Sequence, residues 1–234
     1  MSLPPVEIPL GAMRFNSDSQ KLEYWNGSIW MQVHTFSPNL DGGARAVYGN
    51  GSTPTILATS RFFTIPTQGN SVDFGTLTRT VSQPASFSDR TRGVIMGGTD
   101  PSATSTSDTI TISSTGSAVA GFVTLQSNMK EHGGLSNATR GIRFGGGSGV
   151  TSVDYSTIAS GGTQVDFGTF RGGEQNMGAA SPTRICQGGG NNPSAIDTID
   201  YVNPQTTGNS VAFGELSVAR TYPFGCSNTH GGIG

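Results

Sequence analysis

The feature that most constrains this chain is an internal repeat. Thr91-Arg92-Gly93-Val94-Ile95-Met96-Gly97-Gly98 recurs as Thr139-Arg140-Gly141-Ile142-Arg143-Phe144-Gly145-Gly146. Weaker copies stand at Ala44-Arg45-Ala46-Val47-Tyr48-Gly49, at Thr183-Arg184-Ile185-Cys186 running into Gly188-Gly189-Gly190, and at Thr229-His230-Gly231-Gly232-Ile233-Gly234. A second landmark keeps the same register: Phe74-Gly75-Thr76-Leu77, Phe122-Val123-Thr124-Leu125, Phe167-Gly168-Thr169-Phe170 and Phe213-Gly214-Glu215-Leu216. A unit of about 46 residues that cannot bury its own apolar face must pack against its neighbours.

Each unit reads as strand, turn, strand, turn, strand, because short β-branched and aromatic runs alternate with Gly, Asn and Ser and no window keeps a helical period. The expected fold is therefore all-β, a propeller of about five blades. Four blades would come from repeats near 44–90, 91–138, 139–182 and 183–228. The chain then enters a fifth unit at residues 229–234 after one strand, so something else has to complete that blade. Residues 1–41 supply a candidate β-hairpin module: strands at 12–16, 21–25 and 29–33, with Asn26-Gly27 as a strong hairpin turn. The alternative is a four-bladed propeller over residues 42–234 beside a separate N-terminal β module. In either arrangement the repeat Phe is the expected packing knob between blades, and the Gly doublets let inner strands crowd the axis.

Composition narrows the function. Charged residues make up 12% of the chain and the net charge is −2. With no Lys/Arg cluster, neither nucleic acid nor membrane insertion is expected. No basic segment followed by an apolar run marks a signal peptide at the N-terminus, which points to synthesis and folding in a cytoplasm. Cys186 and Cys226 are too few for a disulfide framework and are expected as buried free thiols.

Motifs for catalysis do not assemble. Asp73-Phe74-Gly75 and Asp166-Phe167-Gly168 spell a kinase metal-binding triplet but recur as repeat elements, and Gly145 to Gly149 lacks the Lys-Ser/Thr of a phosphate loop. The histidines, His34, His132 and His230, stand at different repeat phases and are expected on the surface or in loops, without metal or triad partners. No catalytic, cofactor-binding or metal site is nominated, and no cofactor is expected. The candidate interaction surface is Arg45, Arg92, Arg140 and Arg184 with Trp25, Trp30 and Tyr48. The arginines could meet anionic groups in bidentate fashion or bond carbonyls at blade edges, and a position repeated in every unit favours the scaffold use. The tryptophans fit half-buried packing within the hairpin better than an exposed platform.

The run Gly11-Ala12-Met13-Arg14-Phe15-Asn16-Ser17-Asp18 with Lys21-Leu22-Glu23-Tyr24-Trp25-Asn26-Gly27-Ser28-Ile29-Trp30 resembles a short module of phage tail-fibre and other virion proteins. Residues 42–234 resemble the kelch-like repeat proteins of marine phages, including cyanophages. The resemblance implies a non-enzymatic virion protein made in the cytoplasm of a host bacterium, tail- or fibre-associated, or else a capsid decoration. The partners it implies are other virion proteins in a homo-oligomeric or multicopy arrangement, with a host-surface glycan as a further one. The rival from another class is a propeller enzyme binding or degrading polysaccharide, which would need unit-specific carboxylates converging on the axis.

Overall fold

The computed structural model describes residues 8–16, 21–32, 45–51, 54–67, 69–147, 149–171, 177–191 and 193–227. The chain divides into two compact units, Met1–Leu40 and Asp41–Gly234. The described strands form several small sheets, almost wholly antiparallel and without a closed barrel, and helix is absent among the described residues.

In the first unit β1 (Met13–Asn16), β2 (Lys21–Trp25) and β3 (Trp30–Gln32) form one antiparallel sheet in that order. The turn follows from its residues. Asn26 Oδ1 accepts from the Ser28 and Ile29 amides at 2.9 and 2.8 Å, and Gly27 takes φ +99°, so Trp25 lies directly opposite Trp30. Arg14 and Glu23 pair across the strands, with Arg14 Nε donating to Glu23 Oε2 at 2.9 Å.

The second unit repeats one sheet four times. The first sheet is β4 (Arg45–Gly49), β5 (Thr59–Thr64) and β6 (Val72–Thr76). The second is β7 (Ala85–Ser88), β8 (Arg92–Met96), β9 (Ser107–Thr111) and β10 (Val119–Ala120), followed by the short β11 (Val123–Thr124). The third is β12 (Gly133–Ser136), β13 (Arg140–Phe144), β14 (Ser152–Thr157) and β16 (Val165–Thr169), with β15 (Gly162–Thr163) running parallel to β11. The fourth is β17 (Met177–Ala180), β18 (Ile185–Gly188), β19 (Thr198–Val202) and β20 (Val211–Glu215).

Two expectations are corrected. Sheets two to four have four strands rather than three, because β7, β12 and β17 each precede the arginine strand. These strands are short and small-residued because their neighbours leave no room: a Cβ on Gly134 would lie 2.6 Å from the Ser86 carbonyl, and one on Gly133 would enter the Phe144 ring. The Gly doublets serve the segments that cross between sheets. A Cβ on Gly97 would strike His132 and one on Gly98 would lie 2.8 Å from the Ser82 carbonyl, both at positive φ. Of the blade expected from both termini, the hairpin part forms a three-stranded sheet of β1, β2 and β3, and residues 229–234 lie outside the described residues.

The Thr-Arg motif belongs to the hairpin turn before each arginine strand. Asp89 Oδ1 accepts from the Thr91 and Arg92 amides, Asn137 Oδ1 from Thr139 and Arg140, and Ser181 Oγ from Arg184. The apolar core consists of three seams between successive sheets. Phe74 and Leu77 pack with Ile110 and Ala118; Val94 and Met96 with Val123, Leu125 and Ile158; Phe144, Phe167 and Phe170 with Ala180, Ile185 and Val202.

Next to each seam lies an ion pair with a buried aspartate that the sequence reading missed. A register shift after Val153 and after Ile199 marks a bulge at Asp154 and at Asp200, and Asp108 holds the equivalent strand position. Asp108 takes Arg79 and Thr78, and Asp200 takes Arg171, both arginines arriving from the preceding sheet. Asp154 takes Arg143 of its own sheet, fully buried, while the linker entering that sheet carries Gln126 in place of arginine. Asp154→Asn would leave Arg143 charged, buried and unpaired. In urea denaturation it is expected to lose about 3–5 kcal/mol. The double variant Arg143→Met/Asp154→Leu is expected to recover most of that loss, and a single variant as stable as the wild type would contradict the pairing.

Candidate functional site

The four repeat arginines occupy one equivalent place. Arg45 Nη1 donates to the carbonyls of Ile112 (3.0 Å) and Ser113 (2.8 Å), Arg92 Nη1 to those of Ile158 (3.0 Å) and Ala159 (2.5 Å), and Arg140 Nη1 to that of Pro204 (3.0 Å). Each acceptor is the turn after the third strand of the next sheet. Each guanidinium also lies over a ring: Arg45 on Phe62, Arg92 on Phe122, Arg140 on Tyr155 and Arg184 on Tyr201, at 4.4 to 4.9 Å from the centroid. The ring fixes the side chain's direction, and Nη1 then reaches two carbonyls from Arg45 and from Arg92 and one from Arg140. Arg184 has the ring, and among the described residues it donates to no carbonyl of a following sheet.

The aromatic candidates fall in two places. Trp25 and Trp30 are half-buried against each other, centroids 5.6 Å apart, with Arg14 4.1 Å over Trp30. Tyr48 is exposed on β4 and stacks on Phe63 of β5 at 5.6 Å with 15° between the planes. The structure thus places Arg45, Arg92 and Arg140 in the seams, Arg184 on the ring of Tyr201, the tryptophans within the hairpin sheet and Tyr48 exposed on the first sheet.

A cavity of about 850 Å³ is bounded by β4, β7, β12, β17 and residues 225–227. Ala46, Ser86, Ser88, Gly134, Ser136 and Ala179 form much of its wall, and among the described residues lining it Arg45 alone is charged. Such a wall offers main-chain groups and hydroxyls, with no carboxylate pair for acid–base work. Among the described residues no cluster of three or more His, Cys, Asp and Glu side chains could hold a metal ion.

The cysteines are both free thiols, but Cys226 is exposed and Cys186 half-buried, so the expected burial holds for neither fully. Burial pushes the Cys186 thiol up, away from the reactive thiolate. His34 and His230 lie outside the described residues. His132, expected on the surface or in a loop, lies in the segment entering β12 and is only 7% exposed. Among the described residues neither of its ring nitrogens has a partner in hydrogen-bond geometry. Burial, with the nearby Arg143 and Arg79 charges, pushes its pKa down to about 3, an effect the Lys130 and Met96 backbone only partly offsets.

A signal for the ion pairs was present in the sequence, since Asp108, Asp154 and Asp200 recur at the repeat period inside apolar strands. His132 carried none, because its burial follows from the crossing segment that seats it beside Gly97. Compared with known proteins, the chain matches no family model and no curated protein.

Two measurements test this geometry. Arg92→Ala removes two charge-assisted bonds across a seam and is expected to cost about 1.5–3 kcal/mol in denaturant titration. Arg184→Ala, with no seam acceptor, should cost clearly less, and equal losses would contradict the bridging role. For His132, the unfolded chain takes up a proton near pH 6.5 while the folded form stays neutral to about pH 3. Stability should therefore fall by about 1.4 kcal/mol per pH unit, once fully below the unfolded pKa, as pH drops through this window. His132→Asn should flatten the profile between pH 6 and about 4.5, above the range where carboxylates such as Asp200 titrate; an unchanged slope would contradict the assignment.

Proposed function

We propose that this chain is a non-enzymatic structural component of a bacteriophage particle, tail- or fibre-associated, whose four repeat sheets are the blades of a kelch-like β-propeller series. The observation that carries the reading is that the same side chains do the same structural task in three of the four repeats. Arg45, Arg92 and Arg140 bridge seams, and Asp108, Asp154 and Asp200 are each neutralised inside the fold.

An enzyme built on such repeats breaks the pattern where its chemistry sits, with polar groups from different units converging on one point. The cavity ringed by the innermost strands is instead walled by Gly, Ala, Ser and main chain. The likeness of residues 11–30 to the tail-fibre module supports a particle, and a sparsely charged polar surface suits dense multicopy packing. Contact through many weak polar surfaces gains strength from copy number, and host-surface glycan is a partner that the exposed loops could meet in the same way.

Cryo-EM and mass spectrometry of purified particles from the phage that encodes the chain test the proposal. Repeated copies on the tail or fibre are expected. Copies on the capsid would move the role to decoration. Absence from every particle, or depolymerisation of host polysaccharide by the purified chain, would overturn it.

A further inference from the structure

The seam between sheets is made three times and left half-made at both ends. In the first, the Gly116 amide donates to the Phe74 carbonyl (2.7 Å), the Ala118 amide to that of Thr76 (2.8 Å), and the Ser117 and Thr76 hydroxyls meet at 3.1 Å. In the second, Gly162 and Gln164 donate to Phe122 and Thr124, both at 2.8 Å. In the third, Gly208 and Ser210 donate to Phe167 (2.7 Å) and Thr169 (2.8 Å), while Thr169 Oγ1 donates to Asn209 Oδ1. One sheet offers the edge of its outer strand, and the next offers an extended Gly-x-x segment.

The fourth sheet carries the same edge with nothing on it. Among the described residues, no backbone amide outside its own sheet reaches the Phe213 or Glu215 carbonyl. Phe213 meets Tyr201 edge to face as Phe74 meets Phe62 and Phe167 meets Tyr155, yet it is 55% exposed where each of those two is 2% exposed. A Cβ on Gly75 or Gly168 would strike the carbonyl of Gly116 or Gly208, whereas one on Gly214 meets nothing within 4 Å. Arg184 is poised on Tyr201 and, among the described residues, has no acceptor beyond it.

The first sheet carries the matching half. Gly69 holds φ +157°, close to Gly116 at +157° and Gly208 at +153°. By repeat position the Gly69 and Ser71 amides correspond to the donors, Asn70 to Ser117 and Asn209, and the Ile65 and Pro66 carbonyls to the acceptors of the repeat arginine. Among the described residues the two amides have no acceptor, and Ile65 is 63% exposed. Among the described residues no backbone hydrogen bond joins these two ends within the single chain.

We infer that the first sheet of a second copy of this chain seats on the fourth sheet, by the seam already present three times within each copy. Gly69 and Ser71 of one copy donate to Phe213 and Glu215 of the other, the Asn70 amide donates to the Glu215 carboxylate, and Arg184 donates to the Ile65 and Pro66 carbonyls. The two surfaces differ, so the contact is head-to-tail and each copy keeps one free end for another. This contact lacks one element of the inner seams: Arg61 stands where they have Asp108, Asp154 and Asp200, so no buried ion pair locks it. The inference rests on the seam geometry and is independent of where the protein resides.

Sedimentation velocity on the purified full chain decides it. The wild type should associate with rising concentration into species beyond the dimer. Phe213→Lys puts a charge where the inner seams bury Phe74 and Phe167 and so blocks only the fourth-sheet end, and Ile65→Glu blocks only the first-sheet end; both side chains are exposed among the described residues, so each variant should stay folded and become monomeric. Their equimolar mixture should form a dimer and stop there, because each partner contributes one intact end. If Phe213→Lys fails to fold, Arg184→Glu, which turns a carboxylate toward the partner's Ile65 and Pro66 carbonyls in place of the seam arginine, replaces it. A wild type monomeric at every concentration would overturn the inference, as would association that survives either block or a mixture that grows past the dimer.

Discussion

A sheet ends in a strand whose outer carbonyls and one apolar face must be met by something, and in residues 45–227 the next sheet meets them. The meeting is specific in backbone terms: two amides of an extended segment bond two carbonyls of the outer strand, in parallel sense between β11 and β15. In the first and third seams the glycine beside the bonded Phe permits the approach, since a Cβ at Gly75 or Gly168 would collide with the facing carbonyl; in the second, where Val123 follows Phe122, the incoming Gly161 does so, a Cβ there lying 2.3 Å from the Phe122 carbonyl. Around this line of bonds gather the other seam contacts, namely the arginine on its ring, the apolar cluster and the neutralised aspartate. None of these could form with the backbones further apart, which makes the close approach the condition for the rest.

The parts of the fold that depend on local chemistry were legible in the sequence. The three strands of the N-terminal hairpin fall within a residue of their expected ends because Asn26 and Gly27 dictate the turn, and the recurring arginine marks a strand in each of the four sheets. What could not be read is what crowding decides. Strands β7, β12 and β17 carry Ala, Gly and Ser because larger residues would collide with neighbouring strands, so their composition runs against strand propensity and resembles loop. The same cause hid His132, whose burial belongs to a segment crossing between sheets.

The candidate surface was legible as residues and not as a place. Arg45, Arg92, Arg140 and Arg184 each lie over an aromatic ring, and the first three reach turn carbonyls of the next sheet, because a guanidinium above a ring next to bare turn carbonyls finds its acceptors within the fold. Repetition of a polar residue at one phase of every unit therefore speaks first for architecture. The residues that depart from repetition, Arg61, Gln126 and Arg143 among them, show how the architecture adjusts: where the linker lacks its arginine, the adjacent strand supplies one to the same aspartate.

Native-state amide hydrogen exchange is the most direct measure of the claim that sheet-to-sheet backbone bonding holds the series together. The Gly116, Ala118, Gly162, Gln164, Gly208 and Ser210 amides should exchange only with cooperative unfolding of the sheets, although all six stand in or beside turns. Exchange at the rate of open turns, while the strand amides within each sheet stay protected, would show that the sheets fold separately and that the seams do not carry the structure.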